Sequence, residues 1–143
     1  VRLEEETAAL SKESRLLTAQ GSAPLSSEET AMAQLLQEKL PVSFELEEST
    51  ITLRRCVVSV EAEGDGFAVA LTGQRKAGTP PVSEVQCRQL EALCTQTLAR
   101  CWENGLDLLY LGAVRALKQG SGEKLTTKNA YPAVRVSVEM LEF

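Results

Sequence analysis

The side chains with the most potential for chemistry in this chain are its four cysteines, because the sequence contains no histidine. A thiol nucleophile requires a basic partner and access to solvent. Cys87, Cys94 and Cys101 recur every seven residues, which corresponds to ~10.5 Å of rise along a helix. That spacing is too long for disulfides between neighbours and is typical of one buried helix face. With no CxxC pair, we predict no zinc site and no catalytic thiol, while a bridge from Cys56 to this helix stays open.

Carboxylate pairs are the other candidates for acid and base chemistry. Glu45 with Glu47, and Glu61 with Glu63, alternate with apolar residues. On a strand, such alternation directs the carboxylates to solvent, where they protect sheet edges. The short glycine turns also lack the GxxxxGK[ST] and GxGxxG forms of a phosphate-binding loop. The sequence therefore predicts no catalytic residue, no cofactor and no metal site.

Three further charged residues are candidates for contacts. Asp107 follows Gly105 by two residues and precedes an apolar run, so we predict a local cap in which its carboxylate accepts backbone amides of the next turn. A contact with a partner subunit is the alternative. Arg54 and Arg55 are expected to be either solvated charges or ion-pair partners of a neighbouring chain.

Composition limits the classes of protein to which this chain can belong. Its 143 residues, 43% of them hydrophobic, suit one domain, 1–143, with an independent core. A net charge of −5 argues against nucleic-acid binding and against direct adhesion to an anionic bilayer. No apolar run approaches the ~18 residues of a membrane span. Because the sequence begins with Val1, we expect it to be a piece of a longer protein.

Helix starts are marked by two capping boxes, in which a serine is followed three residues later by Glu or Gln. The serines are Ser26 and Ser83, and apolar residues at helical spacing follow each. Asn104 and Gly105 predict a left-handed C-cap for the longer helix. A proline is expected to stop the first helix. The predicted helices span 27–40, 83–104 and 112–118.

Strands are indicated by the alternation of apolar and polar residues. The predicted strands span 42–47, 50–62, 67–73 and 133–141. Within the second strand the inward phase changes at Arg54 and Arg55, which predicts a bulge or a break. The order of elements predicts an α+β fold, a mainly antiparallel sheet of about four to five strands packed against one long helix and two shorter helices.

Three segments carry a family resemblance. Residues 8–17, AALSKESRLL, look like a hairpin with a charged turn, and residues 25–30, LSSEET, look like an L-S-x-x-E helix start. Residues 105–112, GLDLLYLG, are similar to a turn of form G-x-D-x-x-G-x-G, with Tyr110 in place of the first glycine after the aspartate. Together with Pro132 and the valines after it, the chain resembles the Ger(x)C family, the C subunits of bacterial spore germinant receptors. It lacks the family's tryptophan before the last strand and its trailing glycine.

This resemblance implies a non-enzymatic domain, the C-terminal domain of a lipoprotein on the outer face of the spore inner membrane. Its implied role is protein–protein contact with integral-membrane germinant receptor subunits in nutrient-triggered germination, with membrane attachment only through a lipid anchor outside this fragment. The resemblance also favours a hairpin over 7–19, with its turn at 12–14, where residues 5–20 alone could equally form a helix. The candidate partner or turn-forming residues are Asp107, Tyr110, Gly112, Arg54 and Arg55.

Two other functions remain open from the sequence. An extracytoplasmic small-solute-binding module would require a deep pocket near Asp107 and Tyr110. An enzyme would require clustered carboxylates with strongly shifted pKa values in a cleft.

Overall fold

The structure, a computed structural model, describes residues 13–18, 21–46, 49–64, 66–119 and 125–141. Within these residues the chain forms a two-stranded hairpin, a four-stranded sheet and three helices, which confirms the predicted α+β fold. In chain order the elements are β1 (Glu13–Thr18), β2 (Gly21–Ser26), α1 (Ser27–Leu36), β3 (Val42–Leu46), β4 (Ser49–Glu63), β5 (Gly66–Arg75), α2 (Glu84–Glu103), α3 (Leu111–Gln119) and β6 (Val134–Met140).

The larger sheet has the strand order β3-β4-β5-β6. The pairs β3–β4 and β4–β5 are antiparallel, whereas β6 runs parallel to β5. Parallel neighbours require a long crossover, and the segment that carries α2 and α3 provides it. The prediction of a mainly antiparallel sheet is therefore confirmed, with one parallel pair at the end.

A β-bulge interrupts β4 where the hydrophobic phase changes. The pairing with β5 shifts register between Leu53 and Arg55. Leu53 and Cys56 are both buried on either side of the shift, while Arg54 and Arg55 are exposed. The predicted slip is confirmed, because one extra residue is what turns an odd-numbered inner face into an even-numbered one.

The hairpin lies further along the chain than the sequence suggests. Glu13 and Ser14, predicted in a turn, belong to β1, which pairs along its length with β2. Residues 7–12 of the predicted hairpin lie outside the described residues. The strand β2 was missed because its sequence, GSAPLS, has the composition of a loop. Its Pro24 is tolerated because each strand of a two-stranded hairpin has one side that forms no hydrogen bonds with a neighbouring strand.

Helix α1 ends at Leu36, four residues before its predicted end. The N–H groups of Glu38 and Lys39 donate to the carbonyls of Leu35 and Gln34 at 2.9 and 2.8 Å. This is a Schellman motif, with Glu38 at φ 60° in the left-handed position,. The helix therefore stops by its own capping geometry before the following proline can act on it.

The core lies between the helices and one face of the larger sheet. Along β3 and β6 the burial alternates, so the opposite face meets solvent. Leucine dominates the core, with Phe44 and Phe67 as its largest fully buried side chains. None of the described helices has the length and apolar character needed to cross a bilayer.

Candidate functional site

The 105–112 segment begins where α2 ends. The N–H of Gly105 donates to Trp102 O at 3.0 Å, and the N–H of Leu106 donates to Cys101 O at 2.8 Å. These two bonds form a Schellman motif, with Gly105 in the left-handed region at φ 83°,. The C-cap predicted for this helix is confirmed, and it turns the chain towards Asp107.

The carboxylate of Asp107 binds the first turn of α3. Its Oδ1 accepts the N–H of Leu111 at 2.7 Å, and its Oδ2 accepts the N–H of Gly112 at 2.9 Å. Both oxygens thereby satisfy amides at a helix start that have no partner within the helix. This is the geometry of a local cap, and contact of Asp107 with a partner subunit stays a prediction.

Tyr110 and Gly112 occupy restricted positions in the same turn. Tyr110 has φ 56°, and its side chain is 64% exposed. A Cβ on Gly112 would lie 2.4 Å from the carbonyl oxygen of Leu125, closer than a real contact allows. The turn therefore requires a left-handed residue at 110 and the absence of a side chain at 112.

Trp102 positions residues 125–131, the segment that packs on this turn. Its indole Nε1 donates to the carbonyl of Asn129 at 2.8 Å. Its ring also meets Tyr131 edge-on, with centroids 6.0 Å apart and an interplanar angle of 68°. Burial raises the pKa of Tyr131 well above that of a free phenol,. Residues 125–131 are thus fixed against the end of α2 before they lead into β6.

Arg54 and Arg55 lie elsewhere in the fold, at the bulge of β4. Both side chains are exposed, and Arg54 Nη2 is 3.5 Å from Gln74 Oε1 on the adjacent strand. The predicted site residues consequently form two groups, one in the turn before α3 and one on the sheet. Partner contact by either group stays a prediction.

Glu29 forms the most connected polar cluster of the described structure, and sequence reasoning found only part of it. The predicted capping box is confirmed, since Ser26 N–H donates to Glu29 Oε1 at 2.9 Å and Glu29 N–H donates to Ser26 Oγ at 3.2 Å. The other oxygen, Oε2, accepts Gln96 Nε2 at 2.9 Å and Arg100 Nε at 3.0 Å from α2. These partners are 67 and 71 residues away, so the only available signal was their i,i+4 spacing on one helix face.

The ionisation of Glu29 reflects two opposing effects. Its side chain is 1% exposed, and burial alone would raise its pKa. Hydrogen bonds from Ser26 and Gln96 and the positive charge of Arg100 outweigh burial, so the pKa is lowered overall,. Glu29 is therefore a charged structural link between α1 and α2, and both of its carboxylate oxygens accept hydrogen bonds within the domain.

The four cysteines are all free thiols, so the possible bridge from Cys56 to α2 is not formed. Burial raises the pKa of Cys56 and Cys101 to about 11 and that of Cys94 to about 12. Cys87 is half-buried, and its pKa is also raised by burial. Raised values keep these side chains protonated, which is the opposite of what a nucleophile or a metal ligand needs. The described residues contain no cluster of three or more Cys, Asp or Glu placed to hold a metal ion.

An open apolar groove lies between β4 and α3. It has a volume of about 510 Å³ and is lined by Val60, Glu61, Ala62, Val114 and Leu117. Leu117 is 88% exposed at its rim. Neither Asp107 nor Tyr110 lines this groove, so it is not the deep pocket near these two residues that a solute-binding module would require.

Comparison with known proteins gives limited matches. No family model matches the sequence, and no curated protein matches it. A solved structure described as "Crystal Structure of the GerBC protein" superposes with a TM-score of 0.48 at 11% sequence identity. The match covers 83% of this chain and 47% of that chain, so this chain spans about half the length of that protein.

Proposed function

We propose that this chain is a non-enzymatic domain of a spore germination receptor C subunit, acting through protein–protein contacts in nutrient-triggered germination. The observation that carries the proposal is the geometry of residues 105–112. This is the segment of the chain in which the Ger(x)C resemblance is most specific, and Asp107, Tyr110 and Gly112 each meet a backbone requirement.

The geometry of the turn supports the resemblance because it gives a physical reason for each residue type in the motif. Asp107 is needed to accept two amides, and Gly112 is needed to let Leu125 approach. Tyr110 occupies the left-handed position at which a glycine has the lowest cost,. A G-x-D-x-x-G-x-G pattern is what this backbone favours, so the Tyr110 substitution is a tolerated departure from it.

The positions of the polar and apolar side chains favour protein–protein contact over catalysis as the function of this domain. The oxygens of Asp107 and Glu29 already accept hydrogen bonds within the domain. Meanwhile large apolar side chains meet solvent, with Val57 65%, Tyr110 64% and Leu117 88% exposed. Apolar groups of this kind release free energy when a partner covers them.

The proposed partners are the integral-membrane subunits of a germinant receptor. The proposed location is the outer face of the spore inner membrane, with a lipid anchor in a part of the protein outside this chain. Both follow from the family resemblance, and the exposed turn around Tyr110 is the proposed contact.

Site-specific photo-crosslinking tests this proposal. A benzoylphenylalanine at position 110 of the protein in its native host should give an adduct with a multi-spanning membrane protein encoded beside it. The same probe in place of Thr95, an exposed residue of α2, is the matched control and should give no such adduct. Deletion of the gene should slow nutrient-triggered germination.

Two outcomes would contradict the proposal. One is normal nutrient germination of the deletion strain together with the absence of any adduct from position 110. The other is a neighbouring gene set without a multi-spanning membrane protein and a full-length sequence without an export signal.

A further inference from the structure

The C-terminus of α2 contains the single Asn-Gly pair of the sequence, Asn104-Gly105. Both residues are exposed, and a Cβ built on Gly105 would meet no atom of the described residues, apart from its chain neighbours, within 4 Å. Water therefore reaches this pair from the open side of the cap. The other asparagine of the sequence, Asn129, is followed by alanine. The two asparagines thus differ in the residue that decides how easily an asparagine deamidates.

Deamidation of an Asn-Gly pair requires only water and hydroxide. The backbone nitrogen of Gly105, after it loses its proton to hydroxide, attacks Cγ of Asn104. A bond forms between these two atoms, the bond from Cγ to Nδ2 breaks, and ammonia leaves with a proton taken from water. Water then opens the resulting succinimide at one of its two carbonyl groups and gives aspartate or isoaspartate. Glycine favours the first step because it has no Cβ to obstruct ring closure and its backbone moves freely.

The folded backbone opposes this ring closure. Asn104 has ψ 14°, and its Cα–C bond must rotate away from this value before Gly105 N can approach Cγ. That rotation breaks the hydrogen bond from Gly105 N–H to Trp102 O, which is 3.0 Å long. The side chain of Asn104 is also held, since Nδ2 donates to Arg100 O at 2.8 Å. The attacking nitrogen and the leaving amide are thus both bound to the last turn of α2.

We propose that Asn104 is a site of spontaneous deamidation whose rate is set by opening of the α2 C-cap. Helix ends open locally at a lower free energy than the core, and this helix end carries both reacting groups on exposed residues. Rotation out of the cap frees the attacking nitrogen. The reaction therefore proceeds in the folded protein, but more slowly than in an unfolded chain. This proposal stands independently of the receptor function proposed above.

Either product alters the cap in which it forms. A carboxylate in place of the Asn104 amide cannot donate to Arg100 O, and it adds negative charge beside Glu103 at the C-terminus of α2, where the helix dipole is also negative. Isoaspartate in addition lengthens the backbone by one atom ahead of Gly105. This extra atom displaces the N–H groups of Gly105 and Leu106 from their acceptors on α2. The modification thus irreversibly loosens the connection between α2 and the segment that follows it.

Peptide mapping by mass spectrometry measures the modification. The protein is incubated in mildly alkaline buffer and digested, and each asparagine is scored for the mass increase of amide to carboxylate. We expect conversion at Asn104 and much less at Asn129. A synthetic peptide of residues 101–108 in the same buffer should convert at least about 10-fold faster, because it lacks the cap. Equal rates for protein and peptide, equal conversion of the two asparagines, or no conversion at Asn104 in the protein would overturn the proposal.

A variant that weakens the cap separates opening of the cap from unfolding of the domain. Leu106 is buried, and its N–H donates to Cys101 O, so Leu106→Ala removes an apolar contact at the cap. We expect this variant to deamidate at Asn104 several-fold faster than the wild type. Leu98→Ala, at a similarly buried position of α2, is the matched control and should accelerate the reaction less. Equal acceleration would assign the reaction to global unfolding and overturn control by the cap.

The effect of the product is tested with Asn104→Asp, and circular dichroism shows that each variant folds. We expect faster hydrogen exchange at the N–H groups of Gly105 and Leu106 than in the wild type, because the carboxylate weakens the cap. Adding Glu103→Gln should slow the exchange again, since it removes the neighbouring negative charge. Exchange in Asn104→Asp as slow as in the wild type would overturn the proposed effect on the cap.

Discussion

At the scale of single residues, two non-glycine residues within the described ranges adopt left-handed backbone, Tyr110 at φ 56° and Glu38 at φ 60°. An L-residue in this region costs roughly 1–2 kcal/mol relative to right-handed backbone. Each of these two residues follows a helix or a turn whose hydrogen bonds fix its backbone in the left-handed region. These positions are where the chain departs from the lowest-energy choice of residue.

Replacing Tyr110 by glycine should stabilise the domain. Glycine removes the left-handed cost, and its extra freedom in the unfolded chain offsets part of the gain, so we expect an increase of about 0.5–1 kcal/mol in the free energy of unfolding. Denaturant unfolding followed by the fluorescence of Trp102, the one tryptophan of the chain, measures it. Tyr110→Ala is the control, and an equal gain there would show that the ring, not the backbone, is responsible.

Replacing Gly112 by alanine should have the opposite effect. The new Cβ would meet Leu125 O at 2.4 Å, and moving that backbone is expected to cost about 1–3 kcal/mol. Ala113→Gly, at the exposed next position of α3, should cost less than about 1 kcal/mol through helix propensity alone. A thermal midpoint of Gly112→Ala equal to that of Ala113→Gly would contradict the close approach.

At the scale of secondary-structure elements, Glu29 joins the N-terminus of α1 to the C-terminal half of α2. Its removal in Glu29→Ala leaves the capping amide of Ser26 and the side chains of Gln96 and Arg100 without their acceptor. We expect a loss of about 2–4 kcal/mol in the free energy of unfolding. Glu28→Ala, an exposed neighbour, should cost less than about 0.5 kcal/mol, and similar losses for the two variants would refute the link.

The same residue should make stability depend on pH on the acid side. Because the pKa of Glu29 is lower in the folded protein than in the unfolded chain, its ionised form stabilises the fold. This contribution is complete above the ordinary Glu value of about 4.3 and is lost as the pH falls through the lower folded pKa. In Glu29→Gln, urea midpoints measured from pH 6 to pH 2.5 should fall less steeply than in the wild type. Parallel curves would show that other carboxylates control the acid limb.

At the scale of the whole molecule, the thiols report on the integrity of the core because they come from β4 and α2, which meet there. Cys56, Cys94 and Cys101 are buried and their pKa values are raised to about 11 or 12. We expect one thiol, Cys87, to react with a disulfide reagent at pH 8 in the folded protein, and the other three to react only on unfolding. Cys87→Ser should abolish the native reaction. Prompt labelling of two or more thiols would mean that the core opens more readily than this packing implies.

Sequence reasoning succeeded where short-range rules apply. Both capping boxes, the C-cap at Gly105 and the slip at Arg54 and Arg55 depend on residues within a few positions of one another. Hydrophobic alternation likewise located the four strands of the larger sheet. The early end of α1 and the strand β2 were missed for a local reason, because a Glu in a left-handed cap and a strand that begins Gly-Ser-Ala-Pro both contradict residue preference.

By itself, the sequence determined the identity of most elements, the buried faces of the helices, and the caps, because periodicity and capping chemistry act over one or two turns. Only the tertiary structure decided that β6 lies parallel to β5, that Glu29 receives Gln96 and Arg100, and that Leu125 approaches Gly112. It also decided that β4 extends beyond its pairing with β3. These features join residues distant along the chain, and their energies depend on where the whole fold brings backbone and charge together.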